Sequence, residues 1–218
     1  EKYVKRPMDF FLSVVAIIVL SPVLLITAFF VRVNLGSPVI FTQDRPGMRG
    51  KIFKLYKFRS MSDRKDKDGN LLPDDERLTS FGRKLRSTSL DELPELFNIV
   101  KGDMSIIGPR PQLVRDMLFM TDEQRMRHTV KPGLSGLAQV NGRNDIDWED
   151  KLDWDLKYIE EITFWGDMKI ILQTVIKAFV KQEGITECGM ATAADYGDYL
   201  LKRGKISEEQ YYEKQEEA

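Results

Sequence analysis

The sequence predicts an α+β fold that is mainly helical and is attached to a membrane by its N-terminal segment. Three observations indicate this fold: residues 10–31 contain no charged side chain, two β-prone stretches flank a turn with proline and glycine, and many other apolar residues recur at helical spacing. We expect a re-entrant helix–break–helix at residues 1–35, a globular domain with a small β-hairpin and interfacial amphipathic helices at residues 36–184, and a peripheral helical tail at residues 185–218.

The composition limits the chemistry that the chain can perform. Its 218 residues suffice for a domain with a sizeable core, and 33 Lys and Arg nearly balance 34 Asp and Glu, so no overall charge directs it to nucleic acid. A single cysteine, Cys188, excludes an intrachain disulfide and fits a reducing compartment, and the single histidine, His128, excludes most histidine-rich metal sites. The chemistry must therefore depend on carboxylates, arginine, lysine or a hard cation held by carboxylates.

The N-terminal apolar segment is long enough to cross a bilayer, yet a proline lies in its middle. As one straight helix it would reach roughly 33 Å, but Pro22 in Ser21-Pro22 removes a central backbone hydrogen bond. Cations flank both ends, which favours a cytoplasmic position for both: Lys2, Lys5 and Arg6 before, and Arg32, Arg45, Arg49 and Lys51 after. We expect a hairpin that enters and leaves one leaflet, with Ser21 or its neighbours satisfying the freed backbone groups. A kinked spanning helix and a buried core helix are the alternatives.

A β-hairpin and a short helix come next. Val39–Gln43 and Lys51–Phe58 have the composition of strands, and the residues between them include a Pro-Gly turn. Lys57 and Arg59 are at the end of the second strand, where we expect them to point into a site. Thr79–Arg86 then predicts a short helix that is basic on one side.

The most informative stretch places two adjacent carboxylates, Asp91 and Glu92, at the predicted start of a helix that Gly102 ends. Ser89 is the expected N-cap, and Glu92 three residues later completes a capping box. Capping alone could explain this motif. The surrounding cations favour a phosphate site instead, since a helix N-terminus among cations binds phosphate and keeps a carboxylate ionised for attack on phosphorus: Lys57, Arg59, Arg83, Lys84, Arg86 and Arg110.

Two further segments offer hydrogen-bond donors to such a ligand. In Pro109-Arg110-Pro111 the prolines restrict the backbone around an arginine whose fork matches a diphosphate, although a rigid connector with an exposed arginine is the alternative. Residues 131–144 are rich in glycine, which permits close approach of the backbone to a ligand, and they include Gln139 and Arg143 as donors. This segment matches neither a Walker A motif nor a dinucleotide fingerprint.

The remaining sequence predicts helices without a chemical motif. Asp116–Thr129 is expected to be one helix, with His128 near its end either structural or exposed and not catalytic, and Trp148–Glu161 a polar helix. Trp165–Gln182 has an apolar face that lies either in the lipid headgroup layer or against the protein's own core.

Four motifs occur in order along the chain: Lys57-Phe58-Arg59-Ser60-Met61, the Ser87–Gly102 segment, Gly108-Pro109-Arg110-Pro111 and Pro132-Gly133-Leu134-Ser135-Gly136. Together they resemble the bacterial sugar transferases, the monotopic phosphoglycosyl transferases, from about residue 3 to 183. The chain looks most like the members that load diacetylbacillosamine phosphate in bacterial protein N-glycosylation. The resemblance implies transfer of a sugar 1-phosphate from a UDP-sugar, such as UDP-N,N'-diacetylbacillosamine, to undecaprenyl phosphate, with Mg²⁺, on the cytoplasmic face of the inner membrane.

The resemblance also implies residue roles. The family's Asp-Glu dyad corresponds to Asp91 and Glu92, which are expected to be catalytic and to hold the metal, and its re-entrant break corresponds to Ser21 and Pro22. The family's Pro-Arg-Pro and the donors above give the expected substrate- or phosphate-binding set: Lys57, Arg59, Arg86, Pro109, Arg110, Pro111, Gln139 and Arg143.

The expected reaction has two displacements. Asp91 attacks the sugar-side phosphorus, UMP leaves, and the polyprenyl phosphate then displaces the aspartate. Glu92 projects about 100° from Asp91 on a helix, so it is assigned to metal positioning or proton handling. A single-displacement transferase and a non-catalytic membrane scaffold are the alternatives.

Overall fold

The computed structural model describes residues 2–142, 146–177 and 195–216. The strands are β1 (Ile40–Pro46), β2 (Ile52–Phe58), β3 (Ser105–Ile107) and β4 (Gly133–Ser135). The helices are α1 (Lys2–Leu35), α2 (Asp74–Arg77), α3 (Ser80–Ser87), α4 (Glu95–Lys101), α5 (Asp116–Phe119), α6 (Asp122–Arg125), α7 (Leu137–Asn141), α8 (Trp148–Glu160), α9 (Phe164–Ile176), α10 (Tyr196–Lys202) and α11 (Glu208–Glu216). The predicted fold class, mainly helical with a small β-hairpin, is confirmed, and the parallel pair of β3 and β4 is an addition that the sequence did not predict.

The long helix α1 continues through its central proline and is long and apolar enough to cross a membrane. Pro22 has no N–H to donate to the carbonyl oxygen of Ile18 one turn earlier. Ser21 donates its hydroxyl to that oxygen at 2.8 Å, so the freed acceptor is satisfied within the helix. The prediction that Ser21-Pro22 separates two helices is therefore wrong, whereas the expected compensation by Ser21 is confirmed.

Two opposite faces of α1 differ in what they contact. One face is buried or partly buried along the length of the helix and packs against the rest of the chain. It carries Asp9, Ser13, Ala16, Ile17, Leu20, Leu24, Thr27, Ala28, Val31 and Leu35. Asp9 accepts hydrogen bonds from the Ser105 hydroxyl at 2.7 Å and the Ile106 N–H at 3.2 Å. The other face exposes large apolar side chains, including Phe11, Ile18, Leu25, Phe29 and Val33. This exposed apolar face suits contact with lipid.

The predicted β-hairpin is present and has a defined register. Strands β1 and β2 are antiparallel, and Gln43 pairs with Leu55 while Arg45 pairs with Phe53. Opposite residues in an antiparallel pair share one face, as do residues two apart on one strand. Arg45, Leu55 and Lys57 therefore lie on the same face of the hairpin.

Asn98 joins this hairpin to α4. It is fully buried, it donates its amide to the carbonyl oxygen of Lys54 at 2.7 Å, and its side-chain oxygen accepts the N–H of Tyr56 at 3.0 Å. The apolar core beneath contains Leu55, Leu96, Ile99 and Met104 and is covered by α1. The second strand of the hairpin is thus fixed against α4, close to the carboxylates that precede it.

The glycine-rich segment packs against the chain's own backbone. Strand β3 runs parallel to β4, and a Cβ atom added to Gly133 would lie 2.1 Å from the backbone nitrogen of Gly108. A Cβ on Gly136 would lie 2.2 Å from the Gly108 carbonyl oxygen. The close backbone approach that we expected toward a ligand is therefore made toward residue 108, just before Pro109-Arg110-Pro111.

The region between residues 116 and 129 is not the single helix that the sequence predicts. Met120 is extended and Thr121 caps a new helix through a capping box with Gln124, so α5 and α6 are separate and a 3-10 turn follows at Met126–Thr129. Helices α8 and α9 begin where predicted, to within one residue. The part of the Trp165–Gln182 prediction beyond residue 177 lies outside the described residues.

The C-terminal helices pack onto α5 and α8. Tyr196 and Leu200 of α10 share one apolar cluster with Phe119, Trp148 and Leu152, and Met120 completes it. Asp195, just before α10, pairs with Arg115. The helical content predicted for the tail is present in its described part.

Candidate active site

The adjacent carboxylates Asp91 and Glu92 lie in a 3-10 turn, Leu90–Glu92, between α3 and α4. Ser89 has a left-handed backbone, with φ of 55°, and makes no side-chain capping bond, so the predicted capping box is absent. Because Ser89 directly follows the C-cap of α3, it occupies the position where helices often end in a left-handed residue. Helix α4 begins only at Glu95, after Pro94. The dyad is thus held in the connection between two short helices.

Glu92 is neutralised by two cations. Its Oε1 is 2.9 Å from Lys57 Nζ and also pairs with Arg110 Nη2. Burial by itself would raise the pKa of Glu92, but the charges and hydrogen bonds of Arg110 and Lys57 hold that pKa well below its usual range. Glu92 therefore remains an anion that fixes both cations in place.

Asp91 is in a different environment from its neighbour. It is 7% exposed, and among the described residues its carboxylate makes no hydrogen bond or ion pair. Burial, followed by the charge of Glu92, raises the pKa of Asp91 to about 6, while Lys57, Arg86 and Arg110 oppose the shift. The cations therefore do not outweigh burial, contrary to the simplest expectation, but the carboxylate is still largely ionised at neutral pH.

A third carboxylate, Glu95, is close to the same cations. It is 2% exposed, and its Oε1 is 3.3 Å from Lys57 Nζ. Burial raises the pKa of Glu95 to about 7, with a further contribution from Glu92 and opposition from Lys57 and Arg110. Burial lowers the pKa of Lys57, but Glu92 and Glu95 together raise it above its ordinary value, so this lysine is a cation.

Arg110 is held through its backbone as well as its side chain. The carbonyl oxygen of Arg110 accepts a 2.6 Å hydrogen bond from Arg127, which is 2% exposed and pairs with Asp155 at 2.6 Å. The flanking Pro109 and Pro111 are buried, and the Pro109 carbonyl oxygen accepts the N–H of Gly133 at 2.9 Å. The charge of Glu92 raises the pKa of Arg110 further, so its guanidinium is permanently charged.

The other predicted site residues are placed differently. Arg86 donates to the Ser60 hydroxyl at 2.9 Å, and its charge lowers the pKa of Asp91, so it lies near the dyad. Arg59 is buried at the end of α1 instead, where it donates to the carbonyl oxygens of Leu35 and Ser37. This position satisfies acceptors that a helix C-terminus leaves free.

The two candidates from the glycine-rich segment do not extend the site. The side-chain amide of Gln139 is buried, without a hydrogen-bond partner among the described residues, next to Gly136. Arg143 lies outside the described residues. Of the predicted site residues, the structure thus places Lys57, Arg86 and Arg110 around the dyad of Asp91 and Glu92.

Residues that the sequence did not single out complete the surroundings. A cavity of about 70 Å³ adjoins the dyad's cations and is lined by Arg45, Leu55, Lys57, Glu95, Arg110, Pro111 and Gln112. The sequence could have indicated Glu95 as a site residue, because it lies about one helical turn after Glu92. Asp155 could have been found as a carboxylate on the face of α8 that also carries Leu152 and Tyr158.

Comparison with known proteins identifies the family. The sequence profile of the bacterial sugar transferases matches residues 1–181. The uncharacterized sugar transferase EpsL of Bacillus subtilis is 48% identical over 189 residues, which cover 87% of this chain and 93% of EpsL. The UDP-glucose:undecaprenyl-phosphate glucose-1-phosphate transferase of Klebsiella pneumoniae is 43% identical over 188 residues, covering 82% of this chain and 40% of that protein.

The undecaprenyl-phosphate galactose phosphotransferase of Salmonella typhimurium is 36% identical over 202 residues, covering 84% of this chain and 42% of that protein. The chain thus spans about two fifths of the length of the Klebsiella and Salmonella proteins. A profile match over most of the chain, together with these identities, shows that the chain belongs to the bacterial sugar transferase family.

Proposed function

We propose that this chain is a polyprenyl-phosphate phosphoglycosyl transferase, which moves a sugar 1-phosphate from a UDP-sugar to undecaprenyl phosphate and releases UMP. The observation that carries the proposal is the asymmetry of the dyad: Glu92 takes both Lys57 and Arg110, while the buried Asp91 carboxylate keeps its oxygens without a partner among the described residues. The names of the Klebsiella and Salmonella relatives support the choice of undecaprenyl phosphate as acceptor.

Asp91 acts as the nucleophile in this proposal. A carboxylate oxygen attacks the phosphorus that bears the sugar, and the bond from that phosphorus to the bridging oxygen breaks, so UMP leaves and a phosphosugar–aspartyl ester remains. An oxygen of the polyprenyl phosphate then attacks the same phosphorus and the aspartyl ester bond breaks. The carboxylate is regenerated and the product is a lipid diphosphate sugar. Both attacking groups are already anions, so neither displacement requires a general base.

The cations around the dyad stabilise the charge that shifts during both displacements. Glu92 accepts hydrogen bonds from Arg110 and Lys57 and holds both cations near Asp91, so they are in position before substrate arrives. Phosphoryl transfer depends chiefly on such positioning and electrostatic stabilisation. Glu92 is thus assigned to fixing these cations, which also explains why it does not duplicate Asp91.

Mg²⁺ is proposed as the cofactor. The described residues contain no group of three or more metal-ligating side chains, but Mg²⁺ is often held by one or two carboxylates together with substrate phosphates. Asp91, whose carboxylate is unpartnered, fits that arrangement, and Glu92 is near enough in sequence to contribute. When bound there, Mg²⁺ would offset negative charge on the phosphoryl oxygens.

We also propose that α1 enters one leaflet from the cytoplasmic side of the inner membrane and does not cross it. Both ends of α1 are attached to the same folded body. Near the start, Lys5 pairs with Asp167 and Arg6 donates to the Ile99 carbonyl oxygen at 2.6 Å. At the other end, Arg59 caps the helix. A helix held in this way at both ends, and packed along one side, would draw polar protein into the hydrocarbon if it crossed.

The topology can be tested with single cysteines at Val4 and Ser37 in a Cys188→Ser chain. An impermeant thiol reagent applied to intact cells should leave both sites unlabelled, and inverted membrane vesicles should allow both to react. Labelling of one site in cells and of the other in inverted vesicles would show a spanning helix.

The sugar is proposed from the sequence resemblance as N,N'-diacetylbacillosamine. UDP-glucose and UDP-galactose are the competing donors, because the relatives carry glucose and galactose in their names. Release of UMP from each UDP-sugar, with undecaprenyl phosphate in detergent, ranks the donors directly.

The nucleophile is tested by intact mass. Wild-type protein incubated with the accepted UDP-sugar alone should gain the mass of one phosphosugar, whereas Asp91→Asn should gain none and should lose turnover. Asp44→Asn, a matched change on the exposed hairpin, should behave as wild type. Turnover without an adduct and with ternary-complex kinetics would support single displacement, and full activity of Asp91→Asn would remove the nucleophile assignment. Membrane binding without any UMP release would support the scaffold alternative.

A further inference from the structure

Arg45 reaches the surroundings of the dyad from the β-hairpin. It pairs with Phe53 in the register, so it shares a face of the hairpin with Leu55 and Lys57, two and four residues further along β2. All three line the same small cavity, together with Arg110 and Glu95. Three cationic side chains from two separate segments therefore face one cavity.

The charges around this cavity do not balance. Lys57 pairs with Glu92 and Glu95, and Arg110 pairs with Glu92. Arg45 has no ion pair among the described residues: its Nη2 donates to the neutral amide oxygen of Gln43 at 2.7 Å, and its Nε is buried without a partner. The lining of the cavity thus holds three cations and one carboxylate, Glu95, and Arg45 is the cation that makes no ion pair among the described residues.

This arrangement is costly unless a ligand completes it. A buried donor without an acceptor loses its hydration and gains nothing in return. Burial, followed by the charge of Arg110, lowers the pKa of Arg45 to about 10, and the charges of Asp116, Glu95 and Asp195 oppose this shift. Even so, the guanidinium is charged at any physiological pH, so an anion in the cavity would meet a cation that is already in position.

We infer that Arg45 binds a phosphoryl group of a substrate in the cavity shared with Lys57 and Arg110. The cavity volume of about 70 Å³ is enough for one such group in place of a few water molecules. An arginine fork donates two parallel hydrogen bonds to phosphoryl oxygens, which a lysine does not reproduce. Glu95, the carboxylate in the lining, pairs with Lys57 and makes no ion pair with Arg45, although its charge raises the pKa of Arg45.

The inference rests on the proposed function, since it concerns the phosphoryl groups of that reaction. Two substrates bring such a group: the diphosphate of the UDP-sugar and the monophosphate of the polyprenyl lipid. The chemistry that Arg45 recognises is the same for both, so separate binding measurements with UDP and with a short-chain polyprenyl phosphate identify the source.

The test measures dissociation constants of UDP and of the polyprenyl phosphate by calorimetry, for wild type, Arg45→Lys and Arg45→Gln. We expect Arg45→Gln to weaken one of them by 10-fold or more, and Arg45→Lys to weaken it less because the charge is kept. Weaker UDP binding assigns the donor diphosphate, and weaker lipid binding assigns the acceptor. Unchanged binding of both ligands would overturn the inference.

Lys54→Gln is the matched control, because it removes a cation from the exposed face of the same hairpin. Thermal unfolding of each variant shows whether the hairpin is intact. If Arg45→Lys and Arg45→Gln are equally stable, Arg45→Lys should still lose less ligand affinity than Arg45→Gln. UMP release by the wild-type protein is measured separately. Its absence would refute the proposed function, whereas the binding result decides the role of Arg45 alone.

Discussion

Arg127 donates a 2.6 Å hydrogen bond from Nη2 to the carbonyl oxygen of Arg110, so a buried arginine supports the backbone of the arginine that faces the dyad. Arg127 also gives two hydrogen bonds to one oxygen of Asp155, at 3.0 and 2.6 Å. Burial raises the pKa of Asp155, and the charge of Arg127 opposes that shift. The position of Arg110 thus depends on helix α8 as well as on its two flanking prolines.

This hydrogen bond predicts that variants of Arg127 and Asp155 affect stability and activity differently. Asp155→Leu alone, or Arg127→Met alone, leaves one buried charge unpaired and should cost about 3–5 kcal/mol. The double variant removes both charges and should recover most of the stability, yet it cannot donate to Arg110, so kcat should stay low. Thermal unfolding and UMP release measure the two effects. Recovery of kcat together with stability would show that the pair has only a structural role.

The environment of Asp91 predicts an acidic limit to activity. Attack requires the ionised carboxylate, and burial with the charge of Glu92 raises the pKa of Asp91 to about 6. The value of kcat/KM for the UDP-sugar should therefore fall below about pH 6, approaching tenfold per pH unit. In Glu92→Gln the residual activity should begin to fall only at a lower pH, because the neighbouring negative charge that raises the pKa of Asp91 is gone. An unchanged limb in both Asp91→Glu and Glu92→Gln would assign it to another group.

Glu95 predicts a pH-dependent stability. Its pKa is about 7 in the fold against an ordinary value of 4.5, so its contribution to stability is full below about pH 4.5 and is lost as pH rises through about 7. In Glu95→Gln that loss is absent. Relative to wild type, the variant should therefore gain stability between pH 5 and pH 8, by something on the order of 2 kcal/mol.

The measurement is the thermal midpoint of both proteins at several pH values in the same detergent. Asp103→Asn, a more exposed carboxylate beyond α4, is the matched control and should track wild type. A constant difference between Glu95→Gln and wild type across this range would contradict the raised pKa.

The contact of the C-terminal helices with α5 predicts that the tail supports the fold. A Cβ atom on Gly197 would lie 2.6 Å from the buried ring of Phe119, so Gly197→Ala should destabilise the protein by about 1–3 kcal/mol through overpacking. The N–H of Tyr196 also bonds Asp116, which accepts the N–H of Leu113 just after Pro111. Thermal unfolding checks the effect, with Lys202→Ala on the exposed side of α10 as the control. Equal midpoints for both variants would show that the tail contributes no packing.

The local sequence was sufficient to predict those structural features that depend only on residues close together in the chain. The strand-like composition of residues 39–58 and the Pro-Gly turn within them were sufficient for the β-hairpin, and the position of Pro22 was sufficient for the bond from Ser21. The same local rules failed at Ser89, because its backbone is set by the end of α3 and not by the helix that follows. They also failed at Met120, where an extended residue interrupts the predicted helix.

The sequence alone was enough to choose Asp91, Glu92 and Arg110 as candidate site residues, because a chain with one cysteine and one histidine leaves carboxylates, arginine and lysine as the side chains best suited to chemistry. Which of the two carboxylates is paired depends on the three-dimensional fold, because Lys57 and Arg110 reach Glu92 from positions 35 residues before it and 18 residues after it. The fold likewise directed Arg59 to the end of α1 and Arg45 to the cavity. The physical reason is that a charge is expensive to bury without a partner, and partners are chosen by packing in three dimensions and not by distance along the chain.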